Sequence, residues 1–363
     1  MNLKPRVSIL TVTFNHRKYI QDTIESVLRQ TYRNWEWIIL DDGSTDGTGD
    51  VIKLYKDERI RYTYQDNTGM LHFAENYNKT LQFCNGDLVA MLDGDDYWPE
   101  YKLDMQVERF NDPGVILSYG ECCIVDSNGK KIGYMNLPDD PAIANNNPIG
   151  TALTLFLKII HFRNYLAMHD STVMAKKNAL LDIGGFEVSR ASHQDWPTWT
   201  RLSLEGRFST IPACLGYWRR HSSASTYQHD PILLFDAGID FLRDFVVQNK
   251  NKLNSLGFFY NLNDLEKHWQ NIRKEFIAYL PFNRAMRMLK LGSFTKAKNE
   301  FKKYMEKNPS FKNKFGYGLF TLSDLMHYDI VHPVISLKER LGKTLHLSLS
   351  LALILPLWQI LFP

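Results

Sequence analysis

Two acidic clusters carry the first chemical signal in this chain, Asp41-Asp42-Gly43-Ser44-Thr45-Asp46 and Asp93-Gly94-Asp95-Asp96. Carboxylates packed so closely raise one another's cost of ionisation, and they need a cation, hydrogen-bond donors or open water. A divalent ion is the economical answer. Mg2+ or Mn2+ prefers oxygen ligands and completes its shell with water and substrate phosphate. One or two of Asp93, Asp95 and Asp96 together with a diphosphate would suffice. The competing account is structural: an Asx turn and helix N-cap at 41–46, and a solvated loop ahead of Pro99 at 93–96.

The elements that carry these acids favour function. Residues 7–14 form a β-branched apolar run that predicts a buried parallel strand, and 19–28 space Ile20, Ile24, Val27 and Leu28 as a helix does. Strand character returns at 35–40, runs into the first acidic cluster and leads to a helical stretch at 50–55. The alternation continues with a strand at 60–64, a helix at 74–83 and a strand at 87–92, directly ahead of the second cluster. Such alternation predicts an α/β fold, a mostly parallel sheet with helices on both faces. Both clusters then follow strands and lie on one edge of the sheet, where open α/β sheets bind their ligands. An extended apolar run at 115–125 and a Pro/Asn-rich loop at 136–148 follow, the loop having the composition of a lid or acceptor-side excursion.

Composition bounds the rest. With 363 residues, 44% apolar and 23% charged, the chain has room for a large core and resembles neither a disordered nor a polytopic membrane protein. Cys84, Cys122, Cys123 and Cys214 form no CxxC pair, which suits reduced thiols in a cytoplasmic protein. Residues 1–230 carry a net charge of −5 and residues 231–363 one of +8. That shift accompanies a change to helical patterning at 233–247, 262–279, 294–305 and 312–325, so we place a domain boundary near 230. The final segment, 344–363, holds no Asp, Glu, Lys or Arg, and thirteen of its residues are Leu, Ile, Ala, Trp or Phe. Following Lys338, Arg340 and Lys343, it reads as an anchor on the anionic inner face of the cell membrane or as a segment that packs on its own domain or a partner, with Pro356 and His346 arguing against a span. There is no HExxH, P-loop or GxSxG. Binding of nucleic acid through the basic third is disfavoured.

The stretch VSILTVTFNHRKYIQDTIESVLRQTYRNWEWIILDDGSTDGT, followed by GDLVAMLDGDDYWPEYKL, resembles the N-terminal half of the family 2 glycosyltransferases. The resemblance continues through Gly184-Gly185-Phe186, His193-Gln194-Asp195-Trp196 with Arg201, and Tyr217-Trp218-Arg219-Arg220-His221, covering about residues 5 to 228. It implies the nucleotide-sugar-binding GT-A fold and a metal-dependent, inverting transfer from a UDP-sugar to an acceptor hydroxyl; the basic tail with its apolar end suggests a glycan or lipid-linked acceptor, as in surface polysaccharide synthesis. By position the resemblance implies that Phe14 lies near the base, that Asp42 accepts from the base's ring NH, and that Asp93 and Asp95 are the DxD pair. With Asp96, these would hold the ribose and a Mg2+ or Mn2+ on the donor diphosphate. Asp195 matches the family's catalytic carboxylate, the general base. On the residues alone, Asp195 reads first as a helix N-terminal acid, and it is the resemblance that favours the base. Arg219, Arg220 and His221 are candidates to clamp the diphosphate or complete the metal shell. Trp98 and Trp196, each beside a motif acid, are candidate sugar platforms, and His169 with Gln194 completes a weaker acceptor-side set. Gln194 stands where the family commonly has Glu. That departure leaves a non-catalytic nucleotide-sugar or glycan-binding scaffold as the rival reading. An oligomer is allowed, though no spacing specifies one.

Overall fold

Seven successive buried residues make β1 (Val7–Thr13) an inner strand, and β2 (Trp35–Asp42) is buried along all eight. Both belong to a computed structural model of the chain that describes residues 7–137, 168–188, 195–224, 230–256, 259–290, 293–309, 311–326, 329 and 331. The remaining strands are β3 (Ile60–Gln65), β4 (Leu88–Met91), β5 (Val115–Val125), β6 (Lys131–Met135), β7 (Met174–Lys176) and β8 (Arg207–Arg219). They form one sheet in the order β3-β2-β1-β4-β7-β5-β6, with β8 added parallel to β5. The β3-β2-β1-β4 block is parallel throughout, whereas β7 runs antiparallel to both β4 and β5. This is the mostly parallel α/β sheet that the alternating sequence predicts.

Side-chain alternation along β1 divides the core. Val7 and Ile9 face the layer holding Ile20, Ile24 and Val27 of α1 (Ile20–Leu28), while Leu10 and Val12 face Tyr77 and Leu81 of α3 (Phe73–Gln82). Burying apolar residues on both faces stabilises the inner strands by about 25 cal/mol per Å² removed from water. The short α2 (Thr48–Lys53), α4 (Lys102–Val107) and α5 (Lys177–Asp182) fill connections, and α6 (Asp195–Leu202) follows after residues outside the described set.

Helices α7 (Pro231–Gln248) and α8 (Lys250–Ser255) come next, α7 capped by Asp230, whose side chain accepts from Ile232 N, with Pro231 in the first turn. The chain divides into two compact units, Met1–Trp269 and Gln270–Pro363. The division falls within α9 (Leu262–Lys290), and α10 (Phe294–Lys307) and α11 (Phe311–Met326) belong to the second unit. Its core gathers Ala285, Leu289, Phe301, Tyr304 and Phe320. The sequence pattern ends a helix at 279, but α9 runs on through Pro281 to Lys290. Proline removes one helical hydrogen bond, and the packing of Ala285 and Leu289 outweighs that loss.

All four cysteines are free thiols. Among the described residues no helix is long and apolar enough to cross a membrane. The 344–363 tail and nearly all of the 136–148 loop lie outside the described residues.

Candidate active site

Parallel pairing brings the ends of β1, β2 and β4 to one edge: Thr13 lies beside Asp41, and Met91 beside Leu10. The loop after β1 turns at Asn15, whose φ of 55° is a left-handed conformation that Asn tolerates better than most residues. Asn15 N donates to Ser44 Oγ at 2.8 Å, and Asn15 Oδ1 accepts from Thr45 N at 2.9 Å. Loop one is thus tied to loop two, with Phe14 left 43% exposed at the junction. Within the first acidic cluster, Asp41 accepts from Tyr62 OH and Ser44 N, and Asp46, one residue ahead of the Gly47 N-cap, accepts from Thr48 N and Oγ1 at the start of α2. Those two acids hold the turn that leads into α2. Asp42 is buried at the end of β2 against the chain that follows β3.

In the second cluster the three carboxylates have separate fates. Asp93 Oδ1 accepts from Tyr77 OH at 2.7 Å, and burial, with Asp95 adding, pushes its carboxyl up. Burial opposes ionisation of Asp95 as well, but His16 and His221 hold its carboxyl down. His221 Nε2 lies 2.8 Å and His16 Nε2 3.8 Å from Asp95 Oδ2. Asp96 is different from both. Its Oδ1 accepts from Arg219 N at 2.8 Å and its Oδ2 from Ser171 Oγ at 2.5 Å, and with the residue only 1% exposed both oxygens are held inward as a brace. The expectation that Asp96 holds metal is corrected on that ground.

Arg219 is corrected too. Its guanidinium is 3% exposed, with Nε donating to Asp95 O at 2.9 Å and Nη2 to Asp22 Oδ2 at 2.7 Å, and it lies over the rings of Tyr19 and Tyr97. It fastens β8 to the Asp93–Asp96 loop and has no face to offer a diphosphate. His221, from the same stretch, does reach the loop's working carboxylate, and its ring packs on Tyr19 at 4.5 Å.

Asp195 opens α6, where the helix N-terminus favours a negative charge. Its Oδ1 is buried and meets no hydrogen-bond donor among the described residues. Asp195 is close enough to raise the carboxyls of Asp93 and Asp170, so the three acids share one region, next to Asp95. Asp170, which the sequence reading ranks low, is buried at the start of a 3-10 turn; burial first, then Asp195 and Asp93, pushes its carboxyl well up. Its Oδ1 accepts from Trp199 Nε1 at 3.3 Å.

The aromatic candidates fall away. Trp98 is 3% exposed, donates Nε1 to Ser171 O at 2.6 Å and lies under Lys102 Nζ, so it is a core residue with no face for a sugar. Trp196 packs edge-on against Phe241 and covers Gly238 of α7. His169 braces the 3-10 turn, with Nδ1 accepting from Ser171 N and the ring on Trp218, and burial drives its pKa down to about 4. Gln194 lies outside the described residues.

The family model described as Glycosyl transferase family 2 matches residues 8–172. TuaG of Bacillus subtilis, a glycosyltransferase named for teichuronic acid biosynthesis, is 38% identical over 212 residues, which span 56% of this chain and 75% of TuaG. The chain is a family 2 glycosyltransferase. A second relative of this glycosyltransferase is WfgD of Escherichia coli, a UDP-Glc:alpha-D-GlcNAc-diphosphoundecaprenol beta-1,3-glucosyltransferase. It is 34% identical over 122 residues, 34% of this chain and 47% of WfgD. Among solved structures, S. aureus TarS residues 1–349 in complex with UDP superposes with a TM-score of 0.53 at 15% identity, covering 93% of this chain and 92% of TarS. That likeness shows the fold.

Among the described residues of this glycosyltransferase, no three His, Cys, Asp or Glu side chains form a ready-made metal centre. The donor chemistry nevertheless fits a hard cation supplied with a diphosphate. Asp93 and Asp95 are neighbouring, half-buried carboxylates, and burial first, then the charge of Asp95, pushes the Asp93 carboxyl up, a cost that a cation beside the pair would offset. Sequence reasoning missed the groups that support this pair, Tyr77 and His16. Neither carries a motif; each is one of many Tyr and His residues until the fold sets it against Asp93 or Asp95.

Proposed function

We propose that this glycosyltransferase moves a sugar from a UDP-sugar to a hydroxyl of a glycan or lipid-linked acceptor, with inversion at the anomeric carbon, in surface polysaccharide synthesis. The names of TuaG and WfgD support the acceptor class, and WfgD supports UDP as the donor nucleotide. The observation that carries the reading is the buried Oδ1 of Asp195, which meets no donor among the described residues and lies beside the Asp93–Asp95 pair. A buried acceptor without a donor costs about 1–3 kcal/mol, a cost that persists where a ligand hydroxyl will supply the donor.

Phe14, exposed at the loop junction, flanks the base, and Asp42 accepts from its ring NH. Asp93 and Asp95 hold the ribose and diphosphate side, with His221 and His16 fixing the rotamer of Asp95. These two carboxylates would also hold a Mg2+ or Mn2+, which when bound supplies charge compensation for the departing phosphate. Asp195 takes the proton of the acceptor hydroxyl as its oxygen bonds to the anomeric carbon. The carbon–oxygen bond to the diphosphate breaks on the opposite face, and the electron pair leaves with UDP. General-base assistance of this kind contributes about 10²- to 10⁴-fold. The basic helical region and the 344–363 tail serve to dock the enzyme on the anionic inner face of the membrane.

Asp195→Asn tests the assignment. Sugar transfer is expected to fall by at least the general-base factor while UDP affinity stays within twofold of wild type; unchanged turnover overturns it.

A further inference from the structure

Asp42 sits in a closed hydrogen-bond ring whose direction is fixed by its own charge. As a carboxylate it only accepts. Its Oδ1 takes three donors: Gln65 Nε2 at 2.7 Å, Thr68 Oγ1 at 2.9 Å and Thr68 N at 3.1 Å. Because the Thr68 hydroxyl donates to Asp42, it accepts from Asn76 Nδ2 at 2.9 Å. Asn76 Oδ1 in turn accepts the second Gln65 Nε2 hydrogen at 2.8 Å, which closes the ring. Lys79 Nζ holds Gln65 Oε1 at 2.6 Å, and Asn76 is buried on α3. Every polar hydrogen of the Gln65 amide and the Thr68 hydroxyl is used. The other oxygen, Oδ2, has one long contact, from Asn67 Nδ2 at 3.4 Å, and Asn67 is better engaged with Asp42 O at 2.7 Å. Gly43 keeps this arrangement in place: at φ 82° it runs so close to Asn67 that a Cβ would strike Asn67 N.

We propose that Gln65, Thr68 and Asn76 are positioning residues that turn Asp42 into a one-sided acceptor and thereby set the base selectivity of the donor site. The inference rests on the reading that Asp42 faces the base. Uracil and thymine present one N3–H between two carbonyls, and a single free carboxylate oxygen satisfies it. Guanine presents two parallel donors, N1–H and the 2-amino group, which call for both oxygens of a carboxylate, and Oδ1 is saturated here. Cytosine presents an acceptor at N3, which a carboxylate repels. A freely rotating Asp would separate uracil from cytosine but not from guanine. The ring adds the second discrimination.

The test titrates UDP, CDP and GDP, each with Mn2+, into the full chain by calorimetry. Wild type is expected to prefer UDP to GDP by about tenfold or more, the scale of one buried hydrogen bond lost. In D42N the three donors keep the amide oxygen at the Oδ1 position, so the NH2 takes the Oδ2 position. UDP affinity then falls by about tenfold or more and CDP affinity rises above that of wild type. In Gln65→Leu/Thr68→Val the UDP-to-GDP ratio collapses toward one. Adding D42N to that pair reduces the gain for CDP, because only the backbone N–H of residue 68 then still holds the amide oxygen at the Oδ1 position. A structural role alone would weaken all three nucleotides together. No CDP gain in D42N, or an unchanged UDP-to-GDP ratio in the double variant, overturns the proposal while leaving Asp42 as a base contact. If D42N binds UDP as wild type does, the donor-site reading beneath it fails as well. D42N is a single isosteric change, so it reads out even if the double variant fails to fold.

Discussion

Asp195→Ala should separate stability from activity in opposite directions. The substitution removes a buried acceptor oxygen that meets no donor among the described residues, and relief of that desolvation contributes about 1–3 kcal/mol. It also removes a charge that raises the carboxyls of Asp93 and Asp170, a further gain in the same direction. Against this stands the loss of a favourable charge at the N-terminus of α6, about 0.3–1 kcal/mol. Truncating a polar side chain at a half-buried position adds little cavity cost, so the net expectation is a protein about 0.5–2 kcal/mol more stable than wild type. Urea denaturation read by circular dichroism measures it. Transfer from a UDP-sugar, followed as UDP release, should meanwhile fall by about 10²-fold or more. A variant that loses more than about 1 kcal/mol of stability would mean that Asp195 is a structural N-terminal acid, since the dipole contribution would then exceed the desolvation relief. Retained turnover would remove the base assignment independently.

Arg219→Met should cost about 2–3 kcal/mol, because it frees the buried Asp95 carbonyl, while the loss of Asp22, 59% exposed and readily rehydrated, adds little. UDP affinity measured by calorimetry should drop with it as the Asp93–Asp96 loop loosens. Gly94→Ala places a Cβ against Thr13 Oγ1 and 2.7 Å from His16 Nδ1, so the loop must shift; a cost of about 1–3 kcal/mol and a clear loss of UDP binding are expected, and a variant that binds UDP normally refutes the packing. Burial pushes the thiols of Cys84 and Cys214 up to about 12, so neither is thiolate at pH 8, and iodoacetamide should leave both unmodified in the native protein while labelling them in urea. EDTA should suppress transfer and Mn2+ or Mg2+ restore it, with inorganic Zn2+ a poor substitute at an all-oxygen pair; full activity in EDTA would refute a metal role for Asp93 and Asp95.

Much of the parallel half of the sheet was legible, because β-branched runs alternating with helix-spaced apolar residues leave few other ways to bury both faces of 7–14 and 35–40. The antiparallel insertion of β7 between β4 and β5 was not. Three residues, Met174–Lys176, carry too little periodicity to register, and their pairing is decided by which edges remain open once β1, β2 and β4 have assembled.

At the site, local sequence determined which acids stand at strand ends, since a strand followed by an Asp-rich turn places its carboxylates at the sheet edge whatever else the chain does. Only the tertiary structure decided what each acid is for. Asp93, Asp95 and Asp96 are neighbours of nearly identical sequence context, yet Tyr77 donates to the first, His221 reaches the second, and Ser171 with the Arg219 amide consumes the third. Those partners come from α3, β8 and its end, and a 3-10 turn far along the chain. A carboxylate's role depends on how many donors surround it and how much water remains, and both are properties of the packed neighbourhood that no spacing along the sequence encodes.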